Sequence, residues 1–245
     1  MTIAVMQPYI FPYLGYYQLV NAVDTFVFFD DVNFINKGWV NRNRILLNHE
    51  AFRFTIPLNK ASQNKLINEI EVSDFRKWRA EFLKTLENSY KKAPCFSFFY
   101  EWMINFIHTK EYSSISELTA DSVKAISELL GVSTDYKKSS DLEYKTSNLQ
   151  SGQDKVIKIC KLLGAVKYIN PYNGMEIYDN EIFNSESIDL NFIRMDNVIY
   201  KQFRESDFIP SLSIIDVLMF LDCEKVRTLL GKYTLEKKIN TDAII

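Results

Sequence analysis

This 245-residue chain is predicted to be an α/β domain, a mostly parallel sheet opened by a strand–loop–helix–strand unit and carrying a helical insertion around residues 75–131. The opening thirty residues carry the first sign. Ile3–Met6 and Thr25–Phe29 are short apolar runs, and the apolar spacing of Leu14–Val23 between them suits a helix. Parallel neighbours need such a crossover, so the trio marks a parallel βαβ unit. The second sign comes late in the chain, where strand-like Lys167–Asn170 and Leu190–Met195 follow a helical segment. A single domain spanning 1–245 accommodates all of these elements.

Taken in order, Pro8 and Pro12 keep the segment after the first strand extended and open. Arg44–Leu47 and Ala51–Leu58 flank Asn48-His49-Glu50 and read as a hairpin, whose second arm alternates apolar and polar residues. Asn59–Asn68 is polar loop, and Ile70–Val72 is a short strand. From Asp74, the residues Phe75, Trp78, Phe82, Leu86 and Tyr90 recur at helical spacing as one apolar stripe. Pro94 breaks it, Phe96–Ile107 and Ser116–Leu130 supply two more helices, and Gly131 stops the last. Ser133–Gln150 is polar, either surface loop or weak strand. Ser151 caps a helix through Leu163 that Gly164 ends, and Pro171–Gly174 is a turn. Ser211 or Ser213 caps the helix Ile214–Leu221, and the charged stretch Glu224–Lys238 is predicted to be helical.

Composition excludes several function classes. A net charge of −2 gives no global pull toward nucleic acid or an anionic membrane. Seven glycines leave no Gly-rich phosphate loop and no dinucleotide fingerprint. Cys95, Cys160 and Cys223 lie far apart, which argues against a disulfide framework. The first residues lack the basic region of a signal peptide, and no apolar run approaches membrane-spanning length. A reduced, cytoplasmic protein without membrane insertion is expected. Its abundant Phe and Tyr could cover a homodimer interface as easily as a pocket.

The chemistry concentrates in DDVNFINKGWVNRNR, residues 30–44, which holds too many charges to be buried without partners. Asp30 and Asp31 could hold a divalent cation or accept a proton from an attacking amine. Alternatively, one caps the turn after the strand and the other pairs with Lys37. Arg42 and Arg44 share a face if extended and suit a bidentate grip on a diphosphate, or else pair with the two aspartates. Trp39 could stack on a base or sugar, or plug the loop onto the core. Lys37 could steer phosphate or be solvated.

In the preceding loop, Gln7 must hydrogen-bond either ligand or backbone. Tyr9 and Tyr13 wall a pocket or fold back as a lid, and Gly15-Tyr16 opens a helix whose N–H groups could cradle an anion. Only His49 and His108 are available as imidazoles, with no metal-ligand spacing, so no metal site and no cofactor are expected.

The segment from MQPYIFPYLGYY through DDV and GWVNRNRIL to TIPL resembles the WbqC-like family. Weaker echoes follow at Gly164–Tyr168, at Tyr200 with Gln202, and in SLSIID at Ser211–Asp216. The resemblance implies a role in bacterial O-antigen or related surface-polysaccharide assembly. It implies transfer of glycine or a similar acyl unit to an amino sugar. On that reading the acceptor is a nucleotide-linked amino sugar, and the donor is a thioester on an acyl carrier protein or CoA. Asp30 or Asp31 is then the base. Gln7, Tyr9, Tyr13, Tyr16, Lys37, Trp39, Asn41, Arg42, Arg44, Tyr200 and Gln202 are the expected substrate contacts. A non-catalytic nucleotide-sugar binding module is the alternative. A metal-assisted glycan hydrolase using the two aspartates ranks last, because adjacent residues of an extended segment point to opposite faces.

Overall fold

A computed structural model describes residues 1–145, 151–203 and 208–238. Its centre is a six-stranded sheet in the order β10-β9-β8-β1-β2-β7. The strands are β1 (Thr2–Met6), β2 (Thr25–Phe28), β7 (Asp135–Lys138), β8 (Lys167–Pro171), β9 (Asp189–Met195) and β10 (Tyr233–Glu236). All neighbours pair in parallel except β10, which runs antiparallel to β9. The predicted α/β class with a mostly parallel sheet is what the chain adopts.

Alternation along the strands explains why both faces are covered. Ile3, Val5, Val27, Tyr168, Leu190 and Phe192 belong to one buried cluster, completed by Val156, Ile159 and Cys160 of α5 (Gly152–Leu162) and Phe183 of α6 (Asn180–Ser185). The intervening Ala4, Phe26, Phe28, Ile169 and Ile193 face a larger core built by the remaining helices. From β1 the chain winds outward through α1 (Leu14–Asn21) to β2 and then β7, crosses through α5 to β8 on the other side of β1, and continues to β9. The reversal puts the crossover helices of the two halves on opposite faces, as right-handed connections require. The switch in direction falls between β1 and β8.

The two sheet edges settle one expectation and correct another. Residues 135–138 (DYKK) take the strand alternative and form one edge, and Tyr233–Glu236 is a strand where a helix was expected. The last helix, α8 (Cys223–Leu230), stops before Gly231. Charge misleads here because a solvated helix face and an edge strand both carry it, and charged edges discourage pairing with another chain. Helix α6, capped by Asp179, had no counterpart in the sequence reading.

Between β2 and β7 lie a hairpin and three helices. Strands β3 (Arg42–Leu47) and β4 (Glu50–Thr55) pair antiparallel around Asn48 and His49, whose φ values of 52° and 66° give the left-handed turn that matches strand twist. The short strands β5 (Leu58–Asn59) and β6 (Glu71–Val72) form a second pair. Helices α2 (Phe75–Tyr90), α3 (Phe96–His108) and α4 (Ile115–Leu129) follow, and the predicted stripe from Phe75 to Tyr90 is buried. Phe82 joins the layers. Its ring lies 4.8 Å from both Trp78 and Phe54, and 6.4 Å from Phe11 in the loop after β1. No helix among the described residues is long and apolar enough to cross a membrane.

Because Phe82 is common to α2, the hairpin and that loop, Phe82→Ala should destabilise the fold by about 3–5 kcal/mol. Urea unfolding would measure this, and a loss below about 1 kcal/mol would show that the layers hold without it.

Candidate functional site

Parallel sheets leave a crevice beyond the carboxyl ends of their strands, at the point where winding reverses. A cleft of about 510 Å³ opens there. The loop after β1 contributes Tyr9 and Tyr13, and α1 contributes Gly15 and Gln18. Across the switch come Pro171, Tyr172 and Asn173 from the end of β8, and Ile193, Arg194 and Met195 from β9. Trp39, with Asn43 and Arg44 of β3, forms a third wall, and Ser211, just before α7 (Ile214–Phe220), closes the rim.

Gly15 is glycine because of Tyr13. A Cβ there would sit 2.4 Å from the tyrosine ring and 3.2 Å from the Met195 sulfur. Tyr13 N–H donates to the Tyr9 hydroxyl at 3.1 Å, which fixes the two rings together. Burial pushes both phenols above their ordinary pKa, so at neutral pH they are uncharged groups and not bases.

Two guanidinium groups lie over aromatic rings in the wall. Arg194 sits 3.7 Å from the centre of the Tyr172 ring, and its Nε and Nη2 grip Glu236 of β10 at 2.7 and 3.1 Å. Arg44 lies 5.7 Å from the Trp39 ring and donates through Nη2 to the Ser211 carbonyl at 3.4 Å. Arg44 Nε is buried with no partner among the described residues. Gln18 is fully buried. Its Nε2 donates to the carbonyls of Leu229 and Lys232 at 2.8 and 2.9 Å, and its Oε1 has no partner among the described residues. Asn43, by contrast, is satisfied: it donates to the Ile10 and Phe11 carbonyls and accepts from Arg44 N–H.

Of the residues expected to contact substrate, Tyr9, Tyr13, Trp39 and Arg44 line the cleft, Trp39 with 48% of its surface exposed. The others stand elsewhere. Tyr16 is buried and donates to the Gln7 carbonyl at 3.1 Å, bracing the loop from behind. Lys37 is exposed in a turn with φ 61°. Asn41 ties the start of the hairpin to its end, donating to the Ile56 carbonyl at 2.8 Å. Arg42 shares a strand with Arg44 but is absent from the lining.

The aspartates require a larger correction. Asp30 and Asp31 are 1% and 4% exposed, and neither lines the cleft. Asp30 accepts from the hydroxyls of Ser116 and Ser140 at 3.0 Å each, and from Ser140 N–H at 3.1 Å. Asp31 accepts from Tyr144 at 2.9 Å, from the Ser139 hydroxyl, and from Lys145 at 3.0 Å, so its ion pair is not with Lys37. Their oxygens are committed to joining the end of β2 to α4 and to the turn after β7. A general base needs an oxygen within reach of the substrate, and these have none to offer.

Tyr200 and Gln202 are likewise turned inward. Both donate to the fully buried Asp216, at 2.5 and 2.8 Å, and Tyr90 donates to its other oxygen at 2.7 Å. Among the described residues no cation is a hydrogen-bond partner of this carboxylate, and burial raises its pKa despite the three donors. Asp216 thus does more than start a helix: it ties α7 to α2 and to the segment around residue 200.

Gln18, Asn43, Tyr172, Asn173, Arg194, Met195 and Ser211 complete a wall that the sequence reading did not assign. The rule that ligands sit past parallel strand ends would have pointed to Pro171–Gly174 and to the end of β9, had it been applied to every strand. Nothing in the local sequence marks Gln18.

Residues 7–228 match the model of the WbqC-like protein family. The chain belongs to that family. The WbqC-like chain is also 26% identical over 226 residues to Rv1507c, an uncharacterised protein of Mycobacterium tuberculosis, covering 91% of this chain and 94% of that protein. No solved structure matches it.

The raised pKa of Asp216 has a sign that can be checked. Its contribution is fully present below the ordinary carboxyl pKa of about 3.9 and is lost as pH rises through the higher folded value. Asp216→Asn removes that titration. Its melting temperature should therefore gain on the parent as the pH is raised from about 3 to about 7. A difference that stays constant over this range would mean that Asp216 titrates normally.

Proposed function

We propose that the cleft binds a nucleotide-linked amino sugar and that the protein transfers an acyl or aminoacyl (glycine-type) group to its amine, in bacterial surface-polysaccharide assembly. The observation that carries the reading is the presence of Arg44 against Trp39 and Arg194 against Tyr172 in one cleft of about 510 Å³. Arg44 has no carboxylate partner among the described residues and can meet phosphate oxygens, Arg194 holds its ring while paired with Glu236, and aromatic faces accept a base or a sugar ring. Family membership supports the pathway. In the reaction the amine nitrogen attacks the acyl carbonyl of a thioester, carried by CoA or a carrier protein. The C–N bond forms, the C–S bond breaks, and the amine proton leaves with the thiol. Such a transfer can proceed on positioning alone when the amine arrives uncharged.

A second reading has its own support. The cleft wall holds no carboxylate, imidazole, thiol or lysine among the described residues. That is what a non-catalytic nucleotide-sugar binding module would need, and turnover separates the two.

Thermal shift against UDP-, dTDP- and GDP-linked amino sugars should find one that stabilises the protein, by about 2.7 kcal/mol at 100 times its dissociation constant. Arg44→Ala should weaken that ligand at least about 10-fold, the order expected for a lost charge-assisted hydrogen bond. Adding acyl-CoA or a glycyl donor should then yield the amide. Binding without product would select the module, and no binding in any arm would defeat both readings.

A further inference from the structure

Hairpin β3–β4 turns one face to the core and the other outward. Asn43, Ile45 and Phe54 belong to the inner face, and all three are buried. Alternation along the strand then puts Arg42 and Arg44 on the outer face, and residues directly opposite in an antiparallel pair share it. Arg53 stands opposite Arg44, and Thr55 opposite Arg42. Arg53 is exposed, and Arg42 and Arg44 are half-buried. Opposed residues carry their Cβ atoms about 4.5–5.5 Å apart, and residues two apart on one strand about 7 Å.

Three positive charges are thus gathered on one small face, and the fold gives them no counter-charge. None of the three pairs with a carboxylate among the described residues. Glu50, the carboxylate of the hairpin itself, stands opposite Leu47 and so belongs to the inner face. Glu236 is engaged by Arg194. The partners of Arg44 are the Trp39 ring and the Ser211 carbonyl, neither of which carries a charge. Like charges directly opposite each other destabilise a strand pair, and an anion held between them turns that repulsion into attraction. Arg44 also lines the cleft, so an anion bound here is continuous with a ligand inside it.

We propose that Arg44 and Arg53, with Arg42 beside them, form a clamp for a diphosphate on the outer face of the hairpin. Two neighbouring guanidinium forks match two linked phosphoryl groups, each fork taking oxygens of one. A monophosphate leaves one fork unused. The inference rests on the nucleotide-sugar reading above and adds Arg53, which lies outside the cleft wall and which the sequence reading passed over. The same linkage occurs in a nucleotide-linked acceptor and in CoA as donor, and the test separates the two.

Calorimetry would compare UDP, dTDP and GDP with their monophosphates, and CoA with 4′-phosphopantetheine, which lacks the diphosphate. In at least one arm the diphosphate should bind about 10-fold more tightly or better, as an added charge-assisted contact predicts. Arg53→Ala should bring the pair to within about 3-fold in that arm. Loss in the nucleotide arms alone would assign the clamp to the acceptor, and loss in the CoA arm alone to the donor. Because Arg53 is exposed and unpaired, the variant without ligand should melt no lower than the parent. A lower melting temperature would show that the fold uses the side chain, and would overturn the clamp. Diphosphates no tighter than monophosphates, or a preference that Arg53→Ala leaves untouched, would also overturn it. In both cases the nucleotide-sugar reading stands if the parent still binds an amino nucleotide sugar. No binding in any arm would overturn both.

Discussion

The cleft depends on the carbonyl of Phe11. That residue has φ 40°, a conformation which costs a non-glycine residue about 1–3 kcal/mol. It persists because each part of Phe11 is held by a different element. Its ring packs on Phe82 of α2 and Phe106 of α3, and its N–H donates to Ser122 of α4 at 3.2 Å. Its carbonyl accepts from Asn43 of β3 at 2.6 Å and from the Ser213 hydroxyl at 2.7 Å. The neighbouring Pro12 carbonyl takes Ile214 N–H, and the Arg44 carbonyl takes Ser213 N–H, both at 2.8 Å. The loop after β1, the hairpin and the start of α7 therefore form one bonded unit. Tyr13, Arg44 and Ser211 keep their places in the wall because that unit does.

A second constraint runs through the same region. The residues that look most reactive in sequence are those the fold needs most. A buried carboxylate must be given donors, and a chain that supplies them has tied together whatever elements the donors come from. Asp30 and Asp31 draw on α4 and on Ser139, Ser140, Tyr144 and Lys145 beyond β7. Asp216 draws on α2 and on Tyr200 and Gln202. Both carboxylate groups fasten the helical region between β6 and β7 to the rest of the domain, from opposite ends. Their chemistry is consumed in doing so, which leaves the cleft to arginines, amides and aromatic rings.

The fold was legible where periodicity and punctuation agree. The stripe from Phe75 to Tyr90, the turn at Asn48-His49 and the glycine stops at 131 and 164 follow from local rules, and both glycines adopt the left-handed conformation. It was illegible at the sheet edges, where DYKK and the stretch ending at Glu236 carry charge that suits helix, loop or edge strand alike. For the site, the sequence led to the first loop and to residues 39–44, but could not say which of those side chains turn outward. Asn41 and Asn43 both face in, and Arg42 and Arg44 differ although they share a strand face. Arg194, at the end of β9, was within reach of the strand-end rule, but Gln18 was not, because only the long-range pairing of β1 with β8 and β8 with β9 brings the two to one crevice.

That pairing also explains what kind of site this can be. At the switch between β1 and β8 the wall comes from segments far apart in the chain, and the polar atoms left without partners there are of opposite sense: Arg44 Nε can only donate, and Gln18 Oε1 can only accept. The Tyr9 and Tyr13 phenols are held neutral, and Glu236 is already engaged by Arg194. Among the described residues the wall therefore brings fixed dipoles and positive charge, and no group that readily exchanges a proton near neutral pH. Arg44 Nε calls for an acceptor, and a guanidinium with no carboxylate partner among the described residues favours an anionic one. On the proposed reading the nucleophile would come from the ligand and the driving force from an activated second substrate, since the lining residues offer neither. The proposed transfer from a thioester to the amine of a phosphorylated sugar would fit that division, because the sugar would supply both the anion and the amine.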